Sequence, residues 1–139
     1  YYPHSDKPYL LTTSDDRTVK IWDYTTKSLI ASLEGHTNNV SFACYHPELP
    51  VIVSGSEDGT LRLWHANTYR FEQSLNYNLE RAWCVSAQKG QQGIAVGYDD
   101  GAVVVKLGRE EPAVSMDPSG KLIWAKHNEV ISSIIKGGK

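Results

Sequence analysis

A histidine, a serine and an aspartate lie in one short stretch of the chain, and these residue types can together form a hydrolytic triad. They are His36, Ser54 and Asp58, and Trp64 follows them. In a triad the histidine takes the serine proton while the carboxylate orients the imidazole. The same groups can instead satisfy one another, with the hydroxyl joining the imidazole to the indole N–H. Recurrence of the set along the chain distinguishes these two interpretations.

The set does recur. Asp16, Asp58 and Asp100 lie in matching segments that are 42 residues apart both times, and the first repeat also has Thr12 and Trp22 at the hydroxyl and indole positions. A catalytic centre has no reason to repeat with a fixed period, whereas a structural hydrogen-bond network does. We therefore predict no enzymatic activity and a structural network made of His36, Ser54, Asp58, Trp64, Thr12, Asp16 and Trp22.

Short alternating apolar segments separated by Gly, Pro, Asn and Asp surround these positions, which indicates strands rather than helices. A period of roughly 40 to 45 residues, with Gly-His upstream and Trp-Asp at the end, is typical of four-stranded propeller blades. In the second repeat the strands are predicted at residues 40–45, 50–55, 60–65 and 71–75. The predicted fold class is all-β, a β-propeller fragment of about three four-stranded blades.

Two features distinguish the repeats from one another. Gly59 supplies the positive φ that a tight hairpin requires, whereas Arg17 stands at that position in the first repeat and predicts a strained or differently shaped turn. The third repeat keeps only Asp100 of the network, because the other positions hold Asn78, Val96 and Lys106. We expect apolar packing of the valines at 103–105 to hold that repeat together.

The residue before each turn aspartate is acidic in three consecutive repeats, at Asp15, Glu57 and Asp99. Ordinary turn chemistry explains this as well as an anionic rim for a cationic peptide does. Arg81 and Trp83 enter the third repeat near the same rim, and such residues are common interface anchors. We predict that Arg81 has a binding role. For Trp83 we rank a packing role above a binding role, because its side chain would fill the space left where Lys106 replaces tryptophan.

Composition narrows the remaining functions. The 139 residues carry 14 Lys and Arg against 16 Asp and Glu, a net charge of −2, which disfavours binding to nucleic acid or to an anionic membrane surface. Apolar runs are too short to span a bilayer.

Two cysteines, Cys44 and Cys84, suggest core residues in a reducing compartment. We expect no metal or cofactor, and surface or turn positions for four further histidines, His4, His46, His65 and His127.

The 42-residue rhythm ends near Leu107. A final outer strand is predicted at 113–116 and two further strands at 121–125 and 129–135. No secretory leader is visible, and three blades do not close a ring, so we expect the natural protein to be longer at both ends. The predicted division is 1–117 as the C-terminal blades of a first propeller and 118–139 as a closing strand or linker into a second.

The first 107 residues resemble the WD-repeat family. Three segments, 79–84, 97–112 and 115–129, are similar more specifically to the coatomer beta-prime family of the COPI vesicle coat. The resemblance implies a cytosolic scaffold on Golgi membranes and COPI-coated vesicles, with coatomer alpha and epsilon subunits as partners and peripheral membrane association. It also implies recognition of dilysine sorting signals on cargo tails, to which Asp15 and, less strongly, Glu57 would contribute. A generic WD-repeat adaptor, such as a ubiquitin-ligase receptor or signalling scaffold, is the alternative.

Overall fold

Three antiparallel sheets make up the part of the chain that the computed structural model describes, residues 1–107 and 131–136. Every regular element in these residues is a strand, so the predicted all-β class is confirmed. In chain order the strands are β1 Tyr9–Thr13, β2 Val19–Asp23, β3 Ser28–Leu33, β4 Val40–Tyr45, β5 Val51–Ser56, β6 Thr60–His65, β7 Phe71–Asn76, β8 Ala82–Ala87, β9 Gly93–Tyr98, β10 Gly101–Lys106 and β11 Ile131–Lys136.

Neighbouring strands in each sheet follow one another along the chain, as expected of propeller blades. The sheets have the orders β1-β2-β3, β4-β5-β6-β7 and β8-β9-β10-β11. The four strands predicted for the second repeat are confirmed to within one residue at each end. In the third sheet β11 pairs with β10 and overlaps the strand predicted at 129–135. The strands predicted at 113–116 and 121–125 lie outside the described residues.

The second sheet is buried on both faces because the other two sheets pack against it. Alternation along β5 directs Ile52 and Val53 to opposite sides, and both side chains are fully buried. Ile52 joins an apolar cluster with Val19 and Ile21 of the first sheet. Val53 joins a cluster with Ile94 of the third sheet. Burial of each such side chain contributes about 1.5 to 3 kcal/mol, so two separate cores hold the three sheets together.

Each tryptophan of the repeat coincides with a β-bulge. The register between β2 and β3 shifts at Trp22, and that between β6 and β7 shifts at Trp64. Trp64 packs edge-to-face against Phe71 across this bulge, at a ring-centroid distance of 5.6 Å. In the third sheet Lys106 stands at the tryptophan position, and β10 pairs with β11 without a shift. The indole and the bulge are therefore lost together.

The hairpin between β1 and β2 is strained as predicted. Arg17 has φ of 75°, close to the 86° of Gly59 in the matching hairpin between β5 and β6. A residue with a Cβ loses about 1 to 2 kcal/mol in this left-handed region, whereas glycine does not. The first hairpin therefore has the shape of the second, at a backbone cost that the second does not carry.

A second pair of equivalent bulges lies where β4 and β8 begin. The register shifts between Val40 and Phe42 and again between Ala82 and Cys84. The residues opposite the shifted positions are Gly55 and Gly97. These glycines leave room for the side chains of Phe42 and Cys84, which fold over them.

We expect Gly55→Ala to lower the free energy of unfolding by about 1 to 3 kcal/mol, because the new methyl group would overlap the ring of Phe42. Gly97→Ala is the matched control. Its Cβ would lie 2.8 Å from the Sγ atom of Cys84, an exposed thiol that can rotate away. Urea unfolding of the purified protein measures both changes. Equal losses at the two positions would show that the aromatic ring is not the cause.

Candidate functional site

The predicted network of the second repeat is present as a continuous chain of hydrogen bonds. Trp64 donates its indole N–H to Oγ of Ser54 at 2.9 Å, and that Oγ lies 2.8 Å from Nε2 of His36. Nδ1 of His36 lies 3.0 Å from Oδ2 of Asp58. The chain joins β5, β6, the turn between them and the loop before β4, so it fixes the loop to the sheet.

His36 is neutral in this arrangement. Because Ser54 accepts the indole N–H, its own proton is directed at Nε2 of His36, which leaves the ring proton on Nδ1 for Asp58. Burial lowers the pKa of His36, and the hydrogen bond and charge of Asp58 offset this only in part. Burial alone would raise the pKa of Asp58, but hydrogen bonds from Thr60, Thr37 and His36 outweigh it and lower that pKa.

The same three groups have the contacts of a hydrolytic triad, but Ser54 does not have the access of a nucleophile. Its side chain is fully buried, and its oxygen is bonded to both Trp64 and His36. A substrate carbonyl would have to displace the indole and open the apolar packing around it to reach this oxygen. The geometry therefore supports the structural interpretation of these residues.

The first sheet repeats the part of the network that its residues allow. Trp22 donates to Oγ1 of Thr12 at 2.9 Å, which matches the Trp64 to Ser54 bond. Asp16 accepts hydrogen bonds at its turn and forms a 3.8 Å ion pair with Lys20. All seven predicted network residues thus lie where the repeat places them.

The sequence-based analysis missed two threonines that complete the turns. Asp16 accepts hydrogen bonds from the amide and hydroxyl of Thr18 at 2.9 and 2.6 Å. Asp58 accepts the same pair from Thr60 at 2.8 and 2.6 Å. The signal was the Asp-x-Thr spacing that recurs after 42 residues. Ala102 stands at this position in the third repeat and has no hydroxyl to offer.

The third sheet is held by apolar contacts, as expected, but by two of the three valines. Val103 and Val105 are fully buried, whereas Val104 is 46% exposed. Alternation places Val104 on the opposite face of β10, which the other two sheets do not cover. Val96 is buried at the hydroxyl position, and Lys106 is exposed at the indole position.

Two of the three rim acids share a backbone hydrogen bond, and the surroundings of all three differ. The amide of Glu57 donates to the carbonyl of Asn39 at 2.9 Å, and the amide of Asp99 donates to that of Arg81 at 3.1 Å. Asp15 is exposed and Glu57 is partly exposed. Asp99 accepts from Nε of Arg81 at 2.9 Å, so its charge is already paired.

The prediction that Trp83 packs in place of the missing tryptophan is wrong. Trp83 is the extra residue of the bulge in β8, and its side chain is 43% exposed at the rim. Its indole N–H donates to Oδ1 of Asp99 at 2.6 Å, and the Arg81 guanidinium lies 5.1 Å from its ring centroid. A bulge redirects the side chain that it inserts, and period-two alternation does not anticipate that change. We call Arg81, Trp83 and Asp99 the third-blade cluster.

Two other expectations are corrected. Cys84 is exposed rather than a core residue, because it lies on the uncovered face of the third sheet, whereas Cys44 is partly buried and burial raises its pKa to about 11. His46 lies in a turn, as expected, but it is buried rather than at the surface. Its Nδ1 accepts hydrogen bonds from the amides of Glu48 and Leu49. His127 lies outside the described residues.

Within 1–107 and 131–136, His, Cys, Asp and Glu side chains form no group of three that could hold a metal ion. In the same part of the chain, no helix has the length and apolar character to cross a bilayer.

Comparisons with known proteins agree with the repeat. The WD domain, G-beta repeat model matches residues 3–23 and 27–65. The chain is 51% identical over its whole length to the probable coatomer subunit beta' of Schizosaccharomyces pombe, of which it spans 18%. It is 60% identical over 98% of its length to coatomer subunit beta'-1 of Arabidopsis thaliana, of which it spans 15%. The chain therefore covers less than a fifth of these relatives.

A solved structure of U3-55K shares the fold. It aligns with 72% of this chain and 31% of its own length, with a TM-score of 0.65 and 18% identity. Identity at this level supports the strand architecture alone.

We expect acid to weaken the protein through His36. The unfolded chain binds this proton with the ordinary pKa of 6.5, whereas the folded chain resists it. The contribution of His36 to stability is therefore complete above pH 6.5 and is lost as the pH falls towards the folded-state pKa, with a slope of at most about 1.4 kcal/mol per pH unit.

Urea unfolding at about pH 7.5 and about pH 5.5 measures this effect, and His36→Gln should show a smaller loss than the wild type. The pKa of the buried His46 is also lowered, by burial, but His46 is present in both proteins and cancels in the comparison. The same pH dependence in both proteins would contradict the assignment.

Proposed function

We propose that this chain is part of a non-enzymatic scaffold of the COPI vesicle coat, because it carries WD40 repeats and is similar along its whole length to coatomer beta' subunits. The observation that carries the proposal is the extent of the similarity. Identity of 51% to 60% extends over 98% to 100% of the chain and so includes the third repeat, which departs from the generic pattern. A scaffold of this kind would act on the cytosolic face of Golgi membranes and COPI-coated vesicles.

A scaffold role agrees with the way the polar side chains are used. The buried histidine, serine and aspartate are bonded to one another and to Trp64 inside the second blade. Exposed charged residues and the exposed Trp83 lie instead at the rim, where loops from successive sheets meet. Binding by a surface of this kind needs no chemical step.

For the domain organisation, we propose that residues 1–117 are the closing blades of one propeller and that 118–139 complete it or lead into a second. The pairing of β11 with β10 supports the first of these roles for the end of the chain. Other coatomer subunits, with the alpha and epsilon subunits as candidates, would be the partners of the complete protein.

We further propose that the rim binds the dilysine sorting signals of cargo tails. Asp15 and Glu57 would each hold one lysine ammonium group, because Asp15 is exposed and Glu57 is partly exposed. Neither accepts a hydrogen bond from another side chain in the described residues, unlike Asp99. Exposed ion pairs contribute only about 0.2 to 1 kcal/mol each, which suits a weak contact that must be released when the coat disassembles.

We expect Asp15→Ser with Glu57→Ser to weaken binding of a dilysine peptide to the intact protein by about two- to thirtyfold at low salt, because two ion pairs are lost. Added salt should reduce the difference through screening. Fluorescence anisotropy of a labelled peptide measures the affinity.

The matched control is Asp6→Ser with Glu72→Ser, which changes the net charge equally and removes two exposed acids that are not at the rim. The control should bind as the wild type does. An unchanged affinity of the rim variant at low salt, or an equal loss in the control, would remove these two residues from the site.

A further inference from the structure

The rim of the third blade differs in kind from the rim of the other two. Asp99 occupies the position of Asp15 and Glu57, but three donors already reach its carboxylate. They are the amide and Nε of Arg81, at 3.1 and 2.9 Å, and Nε1 of Trp83 at 2.6 Å. The hydrogen bonds from Trp83 and then Arg81 lower the pKa of Asp99, so the carboxylate keeps its negative charge. The guanidinium of Arg81 compensates that charge. A third lysine would therefore find the carboxylate of Asp99 already occupied.

Trp83 is presented to solvent in a fixed orientation. The bulge directs it outward, the hydrogen bond to Asp99 fixes its edge, and the guanidinium of Arg81 lies over its ring. An aromatic side chain that is already ordered loses little conformational entropy on binding. Ser41 occupies the matching bulge of the second sheet, so within the described residues this bulge position is aromatic in the third blade alone.

The third-blade cluster is continuous with the acidic part of the rim. Gly59, in the hairpin that follows Glu57, packs so closely on the carbonyl of Glu80 that a Cβ there would lie 3.0 Å from it. The hydrogen bond to Asp99 is the main cause of the raised pKa of Arg81, and the charges of Glu57 and Glu80 add to it. One short peptide can therefore contact Glu57 and Trp83 together.

The chemistry of the cluster selects the group that it binds. Arg81 already lies over the ring of Trp83, so a second cation would meet like charge. The three acids around it, Glu57, Glu80 and Asp99, also disfavour an anion. An uncharged aromatic side chain can instead pack against the exposed indole in an offset or edge-to-face arrangement.

We infer that the third-blade cluster is a binding surface for an aromatic side chain of the same cargo peptide whose lysines bind at Asp15 and Glu57. This inference rests on the proposed function and adds to it a requirement on cargo sequence. A dilysine tail with an aromatic residue at the correct distance would bind more tightly than one with alanine, by about two- to tenfold.

The experiment uses the intact protein and four peptides for each position that is tested. Two peptides carry the lysine pair and two carry serines instead, and within each pair one has phenylalanine and the other alanine, scanned along the positions before the lysines. The ratio of the phenylalanine to the alanine affinity should exceed one at a particular position and should return to about one in Trp83→Ala. Tyr24→Ala, which removes an exposed aromatic residue away from the rim, should keep the ratio.

Two further variants separate the roles in the cluster. Trp83→Phe keeps an aromatic surface without the N–H that reaches Asp99, so part of the ratio should remain. Arg81→Gln releases both Trp83 and Asp99, so the ratio should fall while the effect of the lysines rises. Melting temperatures close to that of the wild type establish that each variant is folded, which is expected because Trp83 and Arg81 are exposed.

The outcomes separate the two claims. Lysine peptides that bind no better than serine peptides would overturn the proposed function, whatever the phenylalanine does. A phenylalanine ratio of one, or a ratio that survives Trp83→Ala, would overturn the aromatic binding surface even if the lysines bind as proposed.

Discussion

The hydroxyl of Ser54 is the group on which the second blade depends. It lies in a fully buried position, where an unpaired polar group would cost about 1 to 3 kcal/mol, and it satisfies an indole N–H and an imidazole at once. The indole belongs to Trp64, which lies at the bulge between β6 and β7. The imidazole of His36 also bonds to the carboxylate of Asp58. One oxygen thereby ties the outer edge of the sheet to the loop that enters it.

The third sheet shows what happens when this oxygen is absent. Val96 replaces the hydroxyl and Lys106 replaces the indole, so neither leaves a polar group buried without a partner. The bulge disappears with the tryptophan, and Val103 and Val105 supply apolar contacts instead. Replacing both members of a buried polar pair costs much less than removing one of them, which explains how the repeat can degenerate without losing its strands.

The period and the hydrophobic alternation predicted most of the architecture. Strands in the second repeat, the buried network and the strained turn at Arg17 all follow from residue types at fixed spacing. Side-chain direction at the bulges does not follow, because one inserted residue reverses the alternation locally. Trp83 is predicted to pack because it could fill the space left where Lys106 replaces tryptophan, but the bulge turns its side chain outward. The pairing of Asp99 was also hidden, since it joins residues 16 to 18 positions apart through a bulge that spacing alone does not reveal.

Because the charge of Asp99 is compensated, the two ends of the rim differ in electrostatic potential. Asp15 and Glu57 at one end present negative potential, and at the other end Trp83 presents an aromatic surface beside Asp99, whose charge Arg81 compensates. A rim of three identical acids would accept a basic tail in either orientation and in several frames. This asymmetric arc distinguishes the two ends of an extended chain, so a bound tail would have one polarity and its terminus would point to one side of the ring.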